Sequence, residues 1–372
     1  MTKSADAADR KHMERALLLA ERGLYDTDPN PTVGCVLVNG GQVVGEGWTA
    51  PAGGPHAERV ALAAAAARAR GATAYVTLEP CNHTGRTGPC TEALIEAGVK
   101  RVICAMLDPN PLVSGSGVKR LEAAGIPVTV GVLHASAEPL NRGYLSRMTR
   151  KRPWVRVKIA ATLDGRTALA NGASRWITGP AARQDVHVWR ARSSAVLTGV
   201  GTILVDDPSL SARLDGEGIN VLQPARVILD SRLRTPPSAK TLELPGDVLI
   251  FGGRDEGEEY RLLTAAGARV ERVPASPHCD LHAVLARLAE LEYNNVFVEA
   301  GPRVSGALLQ AALIDELVIY LAPHVLGDGA RGMFDVGVLT ELEQRYRLEI
   351  EDVTRLGPDL RIMARPSTVA GA

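Results

Sequence analysis

Three side chains of metal-ligand type fall within 35 positions of this chain: His56, inside His56-Ala57-Glu58, Cys81 directly after Pro80, and Cys90. One imidazole and two thiolates, each near the start of an expected helix, make a tetrahedral zinc site with one position left for water. Two thiolates neutralise the dication, and helix N-termini help keep sulfur deprotonated. Glu58 lies two residues beyond His56, near the metal without needing to bind it. A carboxylate there can take a proton from an attacking water and hand it to a departing amine. The alternative is a closed structural zinc site with His83 as fourth ligand, which leaves Glu58 without work.

The rest of the chain says what surrounds such a site. Its 372 residues exceed what one core usually organises, so two domains are expected. Apolar runs read as strands at 33–38, 42–48, 74–78, 99–106 and 127–132, and Asn39-Gly40-Gly41 reads as a hairpin turn. Helical periodicity lies between them at 10–23, 56–70, 90–97 and 118–124. This alternation defines an α/β layer. Between His134 and Pro153 the pattern breaks. Asn141 to Arg152 carries Arg142, Arg147, Arg150 and Arg152 among small polar residues and reads as a solvated junction, with the domain cut near residue 148. The expected domains are therefore 1–148 and 149–372. A second α/β series has strands at 154–160, 195–198, 225–230, 247–251, 295–299 and 316–322.

Forty-two basic residues against 42 acidic ones argue against a general nucleic-acid or anionic-membrane binder. No apolar run reaches 18 residues and the first nine positions are polar, so a cytoplasmic protein without a membrane span is expected. Five cysteines, an odd number in so long a chain, do not build a disulfide framework. Cys35, Cys104 and Cys279 sit in or beside apolar runs and read as buried packing residues.

The zinc pattern, His-x-Glu followed by Pro-Cys, is the signature of the zinc nucleobase deaminases. The spacer between the cysteines narrows it. Asn30-Pro31-Thr32-Val33-Gly34, Leu78 to Cys90 with its Gly85-Arg86-Thr87 core, and Asp108-Pro109-Asn110-Pro111 closely resemble the deaminase half of the bacterial bifunctional riboflavin-biosynthesis deaminase/reductases. The resemblance implies a cytidine-deaminase-like α/β/α domain, Zn2+ on His56, Cys81 and Cys90, and Glu58 as proton shuttle. It places Asn30, His83, Arg86, Asp108 and Asn110 around a pyrimidine and its ribose phosphate. One position departs: the family usually has a histidine seven residues before the zinc histidine, and this chain has Thr49.

The second half carries no metal cluster in its sequence. Its first glycine turn, Thr198-Gly199-Val200-Gly201-Thr202, lacks the third glycine of a dinucleotide fingerprint, because Leu204 stands there. Val298-Glu299-Ala300-Gly301-Pro302 reads as strand, turn and helix start, a geometry that also suits phosphate. Lys158, Asp206, Asp230 and Glu299 sit where strands end, either paired or functional.

Lys158 to Arg166, Ser174 to Thr178, Thr202 to Pro208, Leu229 to Arg232 and Val298 to Pro302 resemble the reductase half of the same family, a dihydrofolate-reductase-like α/β domain. The resemblance implies NADPH against Ala160, Trp176, Thr202, Asp206, Ser231, Gly301, Pro302, Arg303, Val304, Ser305, Gly306 and Ala307. It implies substrate contacts from Ser174, Arg190, Leu210, Arg213 and Glu299, with Lys158 and Asp206 positioning the opened ribose. The expected chemistry is deamination of 2,5-diamino-6-(5-phosphoribosylamino)pyrimidin-4(3H)-one, then reduction of the ribosyl group of the aminouracil phosphate to ribityl. The expected partners are that small phosphorylated substrate and further copies of the chain, giving a homo-oligomer. Two other readings are a nucleic-acid base deaminase with an accessory domain and a zinc-stabilised binding protein without turnover.

Overall fold

A computed structural model of the chain describes residues 7–83, 88–111, 113–214 and 221–367. They form two compact units that part between Arg152 and Pro153.

In the first unit the elements run α1 (Ala7–Ala20), β1 (Gly34–Asn39), β2 (Gln42–Trp48), α2 (Ala57–Ala65), β3 (Thr73–Val76), α3 (Cys90–Glu96), β4 (Arg101–Cys104), α4 (Ser116–Ala123), β5 (Val128–Val130), α5 (His134–Ala137) and α6 (Arg142–Arg150). The sheet order is β2-β1-β3-β4-β5. The β1 strand pairs antiparallel with β2 and β3, whereas β3, β4 and β5 are parallel. Because β3 and β4 run the same way, the loops after Val76 and Cys104 leave one end of the sheet. Those loops carry Cys81 and Asp108, at the strand ends where such sheets hold ligands.

Helix α2 lies unusually close to β2, and glycine is the reason. A Cβ on Gly45 would meet the Ala61 carbonyl oxygen at 2.2 Å, and one on Gly47 would meet that of Ala57 at 2.4 Å. Ala57, Ala61 and Ala65 are buried on the facing side. The alanines and glycines thus let backbone rest on backbone, and this contact fixes the start of α2, where His56 and Glu58 sit.

The expected junction proves to be part of the first unit. Asn141, Tyr144 and Ser146 are buried, and α6 runs through residue 148 to Arg150. Its run of arginines reads as a solvated linker, but of them only Arg150 is exposed on this amphipathic helix, and Arg142 and Arg147 are half-buried. The units therefore part four residues later than the expected cut.

The second unit contains β6 (Trp154–Thr162), β7 (Arg166–Ala168), α7 (Pro180–Ala191), β8 (Ala195–Gly199), α8 (Val200–Asp206), β9 (Ala225–Leu229), α9 (Lys240–Glu243), β10 (Val248–Gly252), α10 (Glu258–Ala265), β11 (Arg269–Arg272), α11 (Leu281–Glu290), β12 (Asn295–Val298), α12 (Pro302–Gln310), β13 (Glu316–Ala322), β14 (Arg331–Gly332), β15 (Leu348–Leu356) and β16 (Asp359–Pro366). Its nine-stranded sheet has the order β11-β10-β9-β8-β12-β6-β13-β16-β15. Seven neighbouring strands, β11 to β13, are parallel; β16 and β15 add an antiparallel hairpin. The central strands read as continuous apolar runs because both of their faces are covered. No strand is expected at 348–366, and the hairpin found there escapes the pattern because β15 is charged and exposed along most of its length.

Replacing Gly47 by Ala forces α2 away from β2. We expect a loss of about 1–3 kcal/mol of first-unit stability in urea unfolding, with weaker zinc retention on dialysis. An unchanged transition with unchanged zinc content contradicts the backbone contact.

Candidate active sites

In the first unit His56 is the N-cap residue of α2 and Cys90 the first residue of α3. Cys81 lies on the loop after β3. His56 Nδ1 stands 3.5 Å from Cys81 Sγ and 3.4 Å from Cys90 Sγ, and the three ligand atoms lie within 4.8 Å of one another. A tetrahedral zinc with bonds of about 2.0–2.3 Å holds its ligands at about this separation. His83 does not join this cluster, so the described donors make a three-ligand set. The Cys90 N–H donates to Cys81 Sγ at 3.4 Å, as a helix start can. Hydrogen bonding from the Cys90 thiol pushes Cys81 down to about 4. The same bond, with burial, holds Cys90 protonated well above the ordinary thiol range. One thiolate forms readily, and a cation is required for the second.

Glu58, in the first turn of α2, is 4% exposed. Burial first, and the Cys81 charge second, push its carboxyl up to about 7. Such a group can both accept and release a proton near neutrality.

Beyond the ligands, Asp108 is buried, and burial pushes its carboxyl up to about 6. Its Oδ1 accepts from the Asn110 N–H at 2.8 Å. His83 Nδ1 is buried with no hydrogen-bond partner among the described residues, an orphaned polar atom suited to a ligand. Asn30 lies on the turn before β1, its N–H donating to the Thr27 carbonyl. Arg86 falls outside the described residues. Thr49 does not point to a ligand: its hydroxyl accepts from the Val33 N–H at 3.1 Å and is buried, clasping the start of β1.

Sequence reasoning assigned no role to Glu79. This buried carboxylate accepts the backbone N–H groups of Asp108, Gly115 and Val118 at 3.0–3.1 Å. It pins the Asp108 loop and the start of α4 two residues from a zinc ligand. Only its acidity inside an apolar stretch marks it in the sequence.

In the second unit register builds the central cluster. Val157 on β6 pairs with Val298 on β12, so the next residues, Lys158 and Glu299, face each other across parallel strands. Lys158 Nζ is 3.8 Å from Glu299 Oε2. Arg190, in the last turn of α7, grips the same carboxylate through Nε at 2.5 Å and Nη2 at 3.0 Å. Burial alone would raise the Glu299 carboxyl, but Arg190 and Lys158 outweigh it and hold it below its ordinary value. Burial lowers the Lys158 ammonium, a shift that Glu299 opposes.

Other expected residues are spread around this cluster. Arg213 Nη2 meets His187 Nε2 at 3.3 Å; His187 precedes Arg190 by three on α7, a same-face spacing the sequence reading passed over. Asp206, at the end of α8, pairs with Arg175 at 3.6 Å, not with Lys158. Trp176 is 70% exposed, its ring covered by the Arg183 guanidinium at 4.7 Å. Thr202 lies on α8, Ser231 follows β9, Ala160 lies on β6, and Ser174 sits on the loop before α7.

Gly301 to Ala307 form the N-cap and first turns of α12. Ser305 is buried with no partner for its hydroxyl among the described residues. Gly306 faces the Asp335 backbone, where a Cβ would come within 2.1 Å of the carbonyl oxygen, so its smallness serves packing. The Leu210 side chain is buried in an apolar cluster with Val200 and Ile203, leaving its main chain for any ligand.

These two sites define a two-site enzyme, a metal-dependent deaminase and a reductase on one chain. The family model for the cytidine and deoxycytidylate deaminase zinc-binding region matches residues 6–106, and that for the RibD C-terminal domain matches residues 153–362. The riboflavin biosynthesis protein RibD of Escherichia coli (strain K12) is 45% identical over 362 residues, covering 95% of this chain and 98% of the relative. That of Haemophilus influenzae is 47% identical, covering 96% and 97%. Among solved structures, Acinetobacter baumannii RibD superposes with a TM-score of 0.91 at 46% identity, covering 97% of this chain and 99% of that one. A deaminase/reductase from Thermotoga maritima gives 0.85 at 35%, with the same coverage.

The chain belongs to the RibD family of riboflavin biosynthesis proteins. It is a bifunctional enzyme of riboflavin biosynthesis, a zinc-dependent deaminase and a reductase, whose cofactors are Zn2+ and NADPH. The nucleic-acid deaminase and binding-protein readings are not favoured. No described helix is long and apolar enough to cross a membrane.

Removing the Glu299 charge leaves Arg190 and Lys158 buried without their anion. Glu299→Gln is expected to cost about 3–5 kcal/mol of second-unit stability in urea unfolding and to abolish NADPH oxidation. A stable, active variant contradicts the ion cluster.

Proposed function

We propose that the unit ending at Arg152 deaminates and the unit from Pro153 reduces, in that order. The Thermotoga maritima relative is named as a diaminohydroxyphosphoribosylaminopyrimidine deaminase and 5-amino-6-(5-phosphoribosylamino)uracil reductase. We assign this chain the same two substrates. The observation that carries the reading is the convergence of three zinc-type donors beside a buried carboxyl, Glu58, poised to take and return a proton.

In the first step His56, Cys81 and Cys90 are the zinc ligands. Bound there, zinc supplies a Lewis acid that makes water a nucleophile near neutral pH, while in the second unit NADPH supplies hydride. Glu58 takes the proton of the attacking water and delivers it to the amine leaving C2, so water enters and ammonia departs. Asn30, His83, Asp108 and Asn110 hold the pyrimidine and ribose, and Arg86 is assigned to the phosphate through its charge.

In the second step Lys158 donates to the C1 carbonyl or imine of the opened ribose as hydride reaches that carbon. Glu299 keeps Lys158 and Arg190 in place, and Arg190, Arg213, Ser174 and the Leu210 main chain hold the substrate. Asp206, held by Arg175, is assigned to the ribose and cofactor. Ala160, Trp176, Thr202, Ser231 and the α12 start, from Gly301 to Ala307, line the nicotinamide nucleotide, whose phosphates suit the N–H groups there.

The enzyme is assigned to the cytoplasm, where thiolate ligands stay reduced. It is also assigned as a homo-oligomer through the second unit. The β15 strand is the outer edge of the sheet and exposes Leu348, Ile350 and Val353, an open edge that a second copy can cover. Ile350→Lys with Val353→Lys is expected to halve the mass seen by sedimentation equilibrium. A wild-type monomer, or an assembly that ignores both charges, removes this assignment.

Glu58→Gln tests the first step. Ammonia release is expected to fall about 10²–10⁴-fold, while zinc content and NADPH oxidation on supplied aminouracil substrate stay as in wild type. Unimpaired ammonia release refutes the shuttle role.

A further inference from the structure

Helix α6, at the end of the first unit, reaches into the deaminase site. The Asn141 side chain, just before α6, accepts from the Thr32 N–H at 2.8 Å and donates to the Thr32 carbonyl at 2.9 Å. Arg147 Nη2 donates to the Pro29 carbonyl at 3.2 Å. Both contacts secure the loop that carries Asn30. One turn away on the same face, Tyr144 is buried, and its hydroxyl donates to Asp108, 3.0 Å from Oδ1 and 3.2 Å from Oδ2.

The phenol proton has one direction open to it. The Asn110 side chain hydrogen-bonds to the Tyr144 oxygen, so the polar chain runs from Asn110 through Tyr144 to Asp108. Burial, and then the Asp108 charge, hold the phenol far above its ordinary range, so it stays a donor. On the carboxylate the two oxygens are unequal. Among the described residues, Oδ1 takes the Asn110 N–H as well as the nearer part of the phenol bond, whereas Oδ2 has only the longer one. A carboxylate oxygen has room for two donors, so Oδ2 retains a position.

We propose that Tyr144 is a positioning residue of the deamination step, orienting the Asp108 carboxylate so that Oδ2 accepts a hydroxyl or amine donor of the bound substrate. The inference rests on the assignment of Asp108 to the substrate. It adds to that assignment the group that sets the carboxylate's direction and the oxygen that makes the contact. Because the pair acts in binding, its loss is read in KM, not in kcat.

The test uses the full chain as zinc enzyme. Tyr144→Phe keeps the ring and deletes the donor. The deaminase KM is expected to rise roughly tenfold, the size of a hydrogen bond to a charged group. The kcat should stay within about twofold, with unchanged melting and unchanged NADPH oxidation on aminouracil substrate. The acidic limb of kcat/KM should move to higher pH, since the carboxylate loses a donor while Glu79 still repels its charge and His83 and the Asn110 N–H still favour it.

Asp108→Asn supplies the second arm: its KM should rise at least as far, and adding Tyr144→Phe should change nothing more. An unmoved KM in Tyr144→Phe beside a raised one in Asp108→Asn overturns the positioning role and leaves the assignment of Asp108 standing. An unmoved KM in Asp108→Asn overturns both. A Tyr144→Phe chain that melts lower and loses kcat without a change in KM is a packing defect and also overturns the proposal.

Discussion

Two thiols held next to one imidazole cannot both ionise without a cation, and the first unit is organised around that constraint. His56 Nδ1 lies 3.4–3.5 Å from both sulfurs, and Cys81 gives up its proton at the expense of Cys90. Each ligand is fixed by something other than the metal. Gly45 and Gly47 let α2 rest on β2 and place His56, α3 starts at Cys90, and Glu79 ties the loop before Cys81 to α4. A preformed set of this kind gives the metal a site without a large cost in reordering the chain. The same burial that makes the thiols reluctant raises Glu58 to about 7, near the pH at which proton shuttling is most effective.

The second unit answers a different electrostatic problem. Its cluster has one carboxylate and two cations, Glu299 with Arg190 and Lys158, side by side because β6 and β12 are in register at Val157 and Val298. Excess positive charge in a largely buried ion cluster suits a phosphorylated substrate and a cofactor that is itself an anion. Separate chemistry in separate units has a physical logic, since a metal-activated water is unwelcome where hydride must reach carbon.

The zinc ligands were legible because spacing alone restricts them, and the central strands because parallel sheets demand unbroken apolar runs. What escaped the sequence was polar. Asn141, Tyr144 and Ser146 look like linker residues beside Arg147 and Arg150, yet they point inward from an amphipathic helix. Glu79 is buried because three backbone N–H groups satisfy it, a partnership formed across loops distant in the chain. Strand β15 carries Leu348, Ile350 and Val353 on an exposed edge, so its apolar residues do not mark it as part of the core. Leu210 and Gly306 are assigned to ligands by resemblance, and the structure adds that the Leu210 side chain belongs to the core and that Gly306 makes a close backbone approach.

Everything in the first unit turns on an open, three-ligand zinc site beside Glu58. X-ray absorption at the zinc edge of the purified chain tests it directly. One zinc per chain is expected, with two sulfur neighbours at about 2.3 Å, a single imidazole and one further light-atom neighbour, both at about 2.0–2.2 Å. A second imidazole, a third sulfur or a chain that holds no zinc would contradict it.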